Sequence, residues 1–205
     1  RHTLAAALTA DIAGVIFAME VVMLEYTIAG FTPVILSSVA AAVLSQAVYG
    51  NATAFVVPQL YMNSLIEIPY IILCGIAIGI VSATFVGLIK RTIRVATINI
   101  FYRILAAGAL TALAAMFLPE IMGVGYDTVN KTLLGQISLL LLCAIAIGKI
   151  VITGISVGLG MPSGLVGPIL FIGASVGGMF GILAEMFMPS IASTPGFYAM
   201  LGMGA

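Results

Sequence analysis

Between two long apolar runs, residues 158–168 read GLGMPSGLVGP. Four glycines and two prolines fall within these eleven positions. Irregular backbone at membrane depth is tolerated only where protein buries it or where it lines a water-filled cavity. A helix that restarts at such a point directs its free N–H groups and the positive end of its dipole into the cavity, and anions bind there. The stretch therefore indicates that the chain handles anions inside a membrane.

The composition also points to a membrane. Hydrophobic residues make up 62% of the chain and charged residues 7%, against roughly 45–50% and 25% in soluble domains. Uncharged windows cover residues 26–66, 68–89, 132–148 and 150–184, and about 20 mainly apolar residues suffice to span a bilayer. We therefore predict an all-α, polytopic transmembrane helical bundle with broken or re-entrant helices. The net charge of zero and the lack of a basic tail argue against nucleic-acid binding.

Apolar runs and break signals predict seven or eight elements along the chain. Helices are expected over residues 4–23, 32–49, 69–94, 103–118, 134–157 and 166–188, and a last helix starts at 196. The turn signal Gly50-Asn51 ends the second of them, and the apolar connection over 51–69 partly re-enters the membrane in one interpretation. A basic cluster at residues 90–103 lies in the cytoplasm by the positive-inside rule. Gly173, Gly177 and Gly181 recur at intervals of four, which favours close helix packing in lipid.

We find no domain boundary and interpret residues 1–205 as a single transmembrane domain. Arg1 runs directly into an apolar segment, and Ala205 ends inside another. We therefore expect a partial chain, with N-terminal and C-terminal parts of the full fold missing.

Few side chains could carry chemistry. Asp11, Glu20, Lys149 and Glu185 are the ionisable residues that we place within apolar segments, and a charge in a bilayer is a functional hypothesis by default. The alternative is a helix-end or interior group that neighbouring backbone satisfies. Lys149 either snorkels to an interface or adds positive potential to an anion path. Glu20 forms an interior hydrogen bond or transfers protons.

No enzyme is predicted from these residues. The chain has one His, and no HExxH pattern or phosphate-binding loop is present. Cys74 and Cys143 give neither a disulfide framework nor metal-ligand spacing. We predict no catalytic residue, no metal site and no cofactor.

Residues 160–174, GMPSGLVGPILFIGA, resemble the signature of CLC chloride channels and chloride/proton exchangers. In that family a loop of small residues leads into G-x-F-x-P and a helix whose N-terminus faces the anion pathway. Three other segments resemble family motifs in the same order. Residues 13–20, AGVIFAME, are similar to the family's A-G-x-x-F-x-x-E segment. Residues 123–127, GVGYD, are similar to its extracytoplasmic G-x-G-Y linker. Residues 197–205, FYAMLGMGA, are similar to its F-A-x-x-G-M-A/G-A segment. Four collinear motifs over essentially the whole chain make the resemblance specific.

The resemblance implies a chloride site at the start of the helix after the break. On the positions that match the motif, Leu165 and Val166 offer backbone N–H groups to the anion. Gly164 and Gly167 permit close approach of the backbone, and Pro168 sits where a missing N–H costs nothing. Val166 replaces the family's usual Phe, which alters the lining of the path but keeps the amide. Chloride is then the transported ligand, and selectivity comes from amide donors and helix dipoles.

Position 21 bears on the mechanism that the resemblance implies. Well-studied exchangers of the family carry a proton-transferring Glu directly after the residue that matches Glu20. Here that residue is Val21, which cannot titrate, so a channel is slightly favoured over a chloride/proton exchanger. The family's gating Glu, early Ser motif and late pore Tyr do not occur in these 205 residues.

The resemblance also implies partners and a location. These are the lipid bilayer, chloride and a second copy of the chain, with dimer contacts partly from the helices that match residues 5–20 and 33–49. The resemblance further implies that the protein is an integral, multi-pass protein of the bacterial inner membrane. Two alternatives stay open, a non-conducting structural membrane module and a secondary transporter for another substrate. The latter needs a polar cavity, for which the apolar segments offer few donors.

Overall fold

A computed structural model of the chain describes residues 28–50, 55, 61–95, 99–161 and 164–205. Every regular element within these ranges is a helix, in agreement with the predicted all-α fold. The first predicted helix lies outside them, together with Asp11, Glu20 and Val21. The chain divides into two compact units, Arg1–Ala54 and Phe55–Ala205, and the single-domain interpretation stays a prediction.

The described part of the first unit is one apolar helix, α1, which covers Ile28–Tyr49. Pro33 lies within its first two turns, and exposed side chains such as Leu36 and Val48 give it an apolar surface. The helix ends at Gly50, which adopts a left-handed φ of 74° and donates its N–H to the Gln46 carbonyl at 2.9 Å. This glycine cap is the predicted end of the helix.

The second unit contains six helices in its described residues. They are α2 (Ile68–Val95), α3 (Ile100–Phe117), α4 (Tyr126–Leu133), α5 (Leu139–Gly158), α6 (Val166–Phe187) and α7 (Pro195–Gly204). Short 3-10 turns, Leu65–Glu67 and Pro119–Ile121, precede α2 and follow α3. By length and composition, α2, α3, α5 and α6 can each cross a membrane.

Local chemistry explains the helix ends. The Asn99 side chain accepts the Phe101 N–H at 3.1 Å and caps α3, which stops before Pro119 because a residue that precedes proline disfavours helical backbone. The predicted first residue of the next long helix, residue 134, is wrong. Gly135 turns the chain with a φ of 67°, and α5 begins only after Ser138.

Helices α3 and α5 run antiparallel, as three contacts along them show. Arg103 reaches the Gly158 carbonyl at 3.4 Å, and the Thr111 and Ser156 hydroxyls lie 3.2 Å apart. Further along, Ile121 packs against Gly148. The loop after α3 therefore lies beside the middle of α5.

Helix α6 contains more buried residues than the other helices described in this unit, and all residues from 171 to 178 are buried. Helix α7 packs on it without side chains between the two backbones. A Cβ added at Gly173 or Gly177 would meet the backbone of Gly202 or Tyr198, and one at Gly181 would meet Pro195. The predicted close packing of these glycines is confirmed.

Candidate functional site

The candidate site is the start of α6, which lies where the sequence predicts it. Leu165 precedes the helix with helical backbone angles (φ −86°, ψ −20°), and its carbonyl accepts the Ile169 N–H at 3.0 Å. The N–H groups of Val166 and Gly167 have no acceptor inside the helix because they belong to its first turn. Pro168 is the third helical residue, so its missing N–H removes no helical hydrogen bond.

A cavity of about 520 Å³ opens at this helix start. Its walls come from the first turn of α6, from one face of α5 and from the loop after α3. Four of the five predicted anion-site residues line it, namely Gly164, Val166, Gly167 and Pro168. The Leu165 side chain instead packs against the apolar cluster that contains Cys74. The roles assigned to these five residues remain predictions.

Lys149 is a buried cation among the described residues that line the cavity. Its side chain is 3% exposed, and Nζ donates to the carbonyl oxygens of Ile121 and Gly123, each at 2.7 Å. Nζ also lies 4.9 Å from the centre of the Phe171 ring. The loop after α3 thus brings carbonyl partners for Lys149 to the middle of α5, and the predicted snorkelling of Lys149 to an interface stays a prediction. Its alternative role, positive potential on an anion path, stays a prediction.

The segment 121–125, called here the wall loop, packs directly on the first turns of α6. A Cβ at Gly167 would lie 2.7 Å from Cγ1 of Val124, and one at Gly125 would overlap the Phe171 ring. Gly123 and Gly125 have left-handed φ values of 64° and 80°, which glycine adopts without strain. The GVGYD motif, predicted as a linker, therefore forms one wall of the cavity.

Sequence reasoning missed the buried carboxylate of Glu67, which is 1% exposed. It accepts hydrogen bonds from the backbone N–H of Ser193, from the Ser193 hydroxyl at 2.6 Å and from the Tyr198 hydroxyl at 2.8 Å. Glu67 was detectable as the one acidic residue between positions 26 and 89. It connects the start of α2 to the segment between α6 and α7, away from the cavity lining.

The remaining ionisable candidate in the described ranges is Glu185. It is exposed near the end of α6, as expected for a helix-end group. Across the described residues, no group of three or more His, Cys, Asp or Glu side chains is placed to hold a metal ion.

Residues 3–205 match the family model described as voltage gated chloride channel. This chain belongs to the CLC family. The H(+)/Cl(-) exchange transporter ClcA of Vibrio campbellii is 27% identical over 98% of the CLC chain and 45% of its own length. The ClcA of Vibrio cholerae serotype O1 (strain M66-2) is 29% identical with the same coverage. A putative chloride channel protein, ClcB-like, of Ralstonia nicotianae is 30% identical over 97% of the chain and 47% of that relative.

Family membership confirms the resemblance drawn from the four motifs. Together with the four apolar helices, it makes this CLC chain part of an integral membrane protein. The chain spans about 45% of the length of the ClcA relatives.

Proposed function

We propose that this CLC chain contributes one part of a chloride-binding site to a protein that carries chloride across a membrane. The observation that supports the proposal is the start of α6, which opens into a cavity of about 520 Å³ beside the buried Lys149. In the proposed site the backbone N–H groups of Leu165 and Val166 bind the anion.

Chloride suits this arrangement for physical reasons. The anion has no directional bonding requirement, so N–H donors and the positive end of the helix dipole are sufficient ligands. The Cβ position of Gly164 has no atom within 4 Å, and an anion can therefore approach the backbone closely at this point. Binding by partial charges is weak enough for the ion to leave again, as conduction requires. No cofactor enters this proposal.

The second candidate for the mechanism is exchange of chloride for protons. The names of the ClcA relatives, H(+)/Cl(-) exchange transporters, favour it, whereas the ClcB-like relative is named a putative chloride channel protein. These names do not support the slight preference for a channel that Val21 suggested. We further propose a homodimer in the bacterial inner membrane, the arrangement that the family resemblance implies.

Chloride efflux from liposomes that contain the full-length protein tests the proposal. Gly164→Leu is the informative variant, because a Cβ at Gly164 meets no atom within 4 Å and the side chain enters the cavity. We expect it to lower the initial efflux at least about tenfold through occupation of the binding space. Gly75→Leu is the matched control, since its Cβ position on α2 is equally open, and its efflux stays at the wild-type level.

Two results would contradict the proposal. Unchanged efflux in Gly164→Leu removes the anion site from the start of α6, and absence of efflux in the wild type favours the non-conducting module. Proton movement recorded in the same liposomes separates the two mechanisms. Uphill proton transport driven by a chloride gradient excludes a pure channel.

A further inference from the structure

Lys149 joins three parts of the cavity wall. It sits in the middle of α5, its Nζ binds two carbonyl oxygens of the wall loop, and it lies over the ring of Phe171 on α6. Phe171 follows Gly167 by four residues and so shares its helix face. One side chain thus connects the wall loop and α5 to the α6 face that borders the cavity.

The wall loop depends on this connection for its position. Its two left-handed glycines provide little stiffness of their own, because glycine loses more conformational freedom on ordering than other residues. The hydrogen bonds from Lys149 fix the loop at Ile121 and Gly123, at 2.7 Å each. The next residue, Val124, then packs against Gly167 in the first turn of α6. Loss of these bonds would release the wall loop at the point where it contacts the first turn of α6.

The charge of Lys149 is solvated by its partners but not cancelled. Both hydrogen-bond acceptors are neutral backbone carbonyls, whereas buried lysines usually pair with a carboxylate. A buried cation acts over several ångströms because the dielectric of the surrounding protein is low. Its positive potential adds to that of the α6 dipole in the same cavity.

We propose that Lys149 is a positioning residue of the anion site, which holds the wall loop against α6 and raises the affinity of the cavity for chloride. The inference rests on the proposed function and deepens it. Lys149 does not need to touch the anion. It acts through the loop and through its charge.

Full-length Lys149→Met tests the inference. The substitution keeps an unbranched side chain and removes both the charge and the donors. We expect the chloride concentration at half-maximal efflux to rise about tenfold with a smaller change in the maximal rate. Chloride binding to the detergent-solubilised protein, measured by calorimetry, should weaken by the same factor. Lys149→Arg keeps the charge and the donors on a larger head group, and it should bind chloride more tightly than Lys149→Met.

Lys131→Met is the matched control, since Lys131 is exposed on α4 and its loss should leave chloride affinity unchanged. A purely structural lysine would lower the yield and the maximal rate but not the chloride affinity. Unchanged affinity in Lys149→Met, with intact wild-type transport, overturns the inference. Absence of wild-type transport would instead contradict the proposed function, and calorimetry alone then decides whether Lys149 affects binding.

A second pair of variants tests the inference if Lys149→Met does not fold. Lys149→Gln keeps two donors and loses the charge, whereas Lys149→Arg keeps both. Tighter chloride binding in the Arg variant than in the Gln variant supports the inference. Equal affinities overturn it.

Discussion

The two ends of α6 use glycine for opposite purposes. Along the buried part, Gly173, Gly177 and Gly181 lie against the backbone of α7, so the absent side chain is replaced by protein. At the start, Gly164 has no atom within 4 Å of its Cβ position, and Gly167 faces only the side chain of Val124. At Gly164 the absent side chain therefore leaves open space next to the first turn of α6, whereas at Gly167 a side chain of the wall loop fills it.

This difference shows that glycine spacing alone does not identify function. Regular intervals of four mark the packed end, where two helices approach within backbone contact. Irregular spacing with prolines marks the open end, where the chain restarts as a helix. The consequences of adding one methyl group should therefore differ strongly between positions on the same helix.

The largest effect is expected for Gly177→Ala. The new Cβ would overlap the Tyr198 carbonyl, and backbone cannot move aside as a side chain can. We expect a loss of about 3 kcal/mol in the free energy of unfolding, measured by thermal or denaturant unfolding of the full-length protein in detergent. Gly167→Ala is the control on the same helix, because the Val124 side chain can yield, and it should cost less than about 1 kcal/mol. Equal losses of unfolding free energy at both positions would contradict the proposed difference between the two ends of α6.

A smaller effect is expected for Glu67→Ala at the packed end. The substitution leaves the Ser193 hydroxyl and N–H and the Tyr198 hydroxyl without their buried acceptor. We expect a loss of about 2 kcal/mol in the free energy of unfolding, with the chloride affinity unchanged because Glu67 is not part of the cavity lining. Glu185→Ala removes an exposed carboxylate from α6 and should change stability by less than about 0.5 kcal/mol. A change in chloride affinity on Glu67→Ala would show that the two ends are coupled.

The smallest effect is expected for Gly164→Ala. Its Cβ has open space, and the backbone is not in the left-handed region. The free energy of unfolding should stay within about 0.5 kcal/mol of the wild type, as measured in the same unfolding assay. A loss comparable to that of Gly177→Ala would mean that the start of α6 is packed and not open.

Much of the fold could be predicted because hydrophobic length determines membrane helices. The predicted ranges for α2, α3 and α6 agree with the structure within a few residues, and the break before Val166 lies where glycine and proline place it. The start of α5 was missed because residues 134–138, LGQIS, carry no charge, and their Leu and Ile lead directly into the apolar run of the helix. In the structure, the left-handed turn at Gly135 separates these residues from α5.

The site could be predicted in part. The helix start was available from the motif, whereas the partners of Lys149 lie 28 and 26 residues away along the chain. No local pattern reports such contacts, because they form only when the loop after α3 folds back on α5. The same holds for Glu67, whose acceptor role depends on residues beyond position 190.

The long separation between Glu67 and Ser193 has a consequence for synthesis. The two residues are 126 positions apart, and ribosomes add roughly 5–20 residues per second. The donors of the Glu67 carboxylate are therefore synthesised roughly 6–25 s after it, while α2 to α6 are produced. During that interval the Glu67 carboxylate lacks the buried donors that it has in the folded chain. Docking of α2 against α7 is thus among the last steps in the biogenesis of this segment.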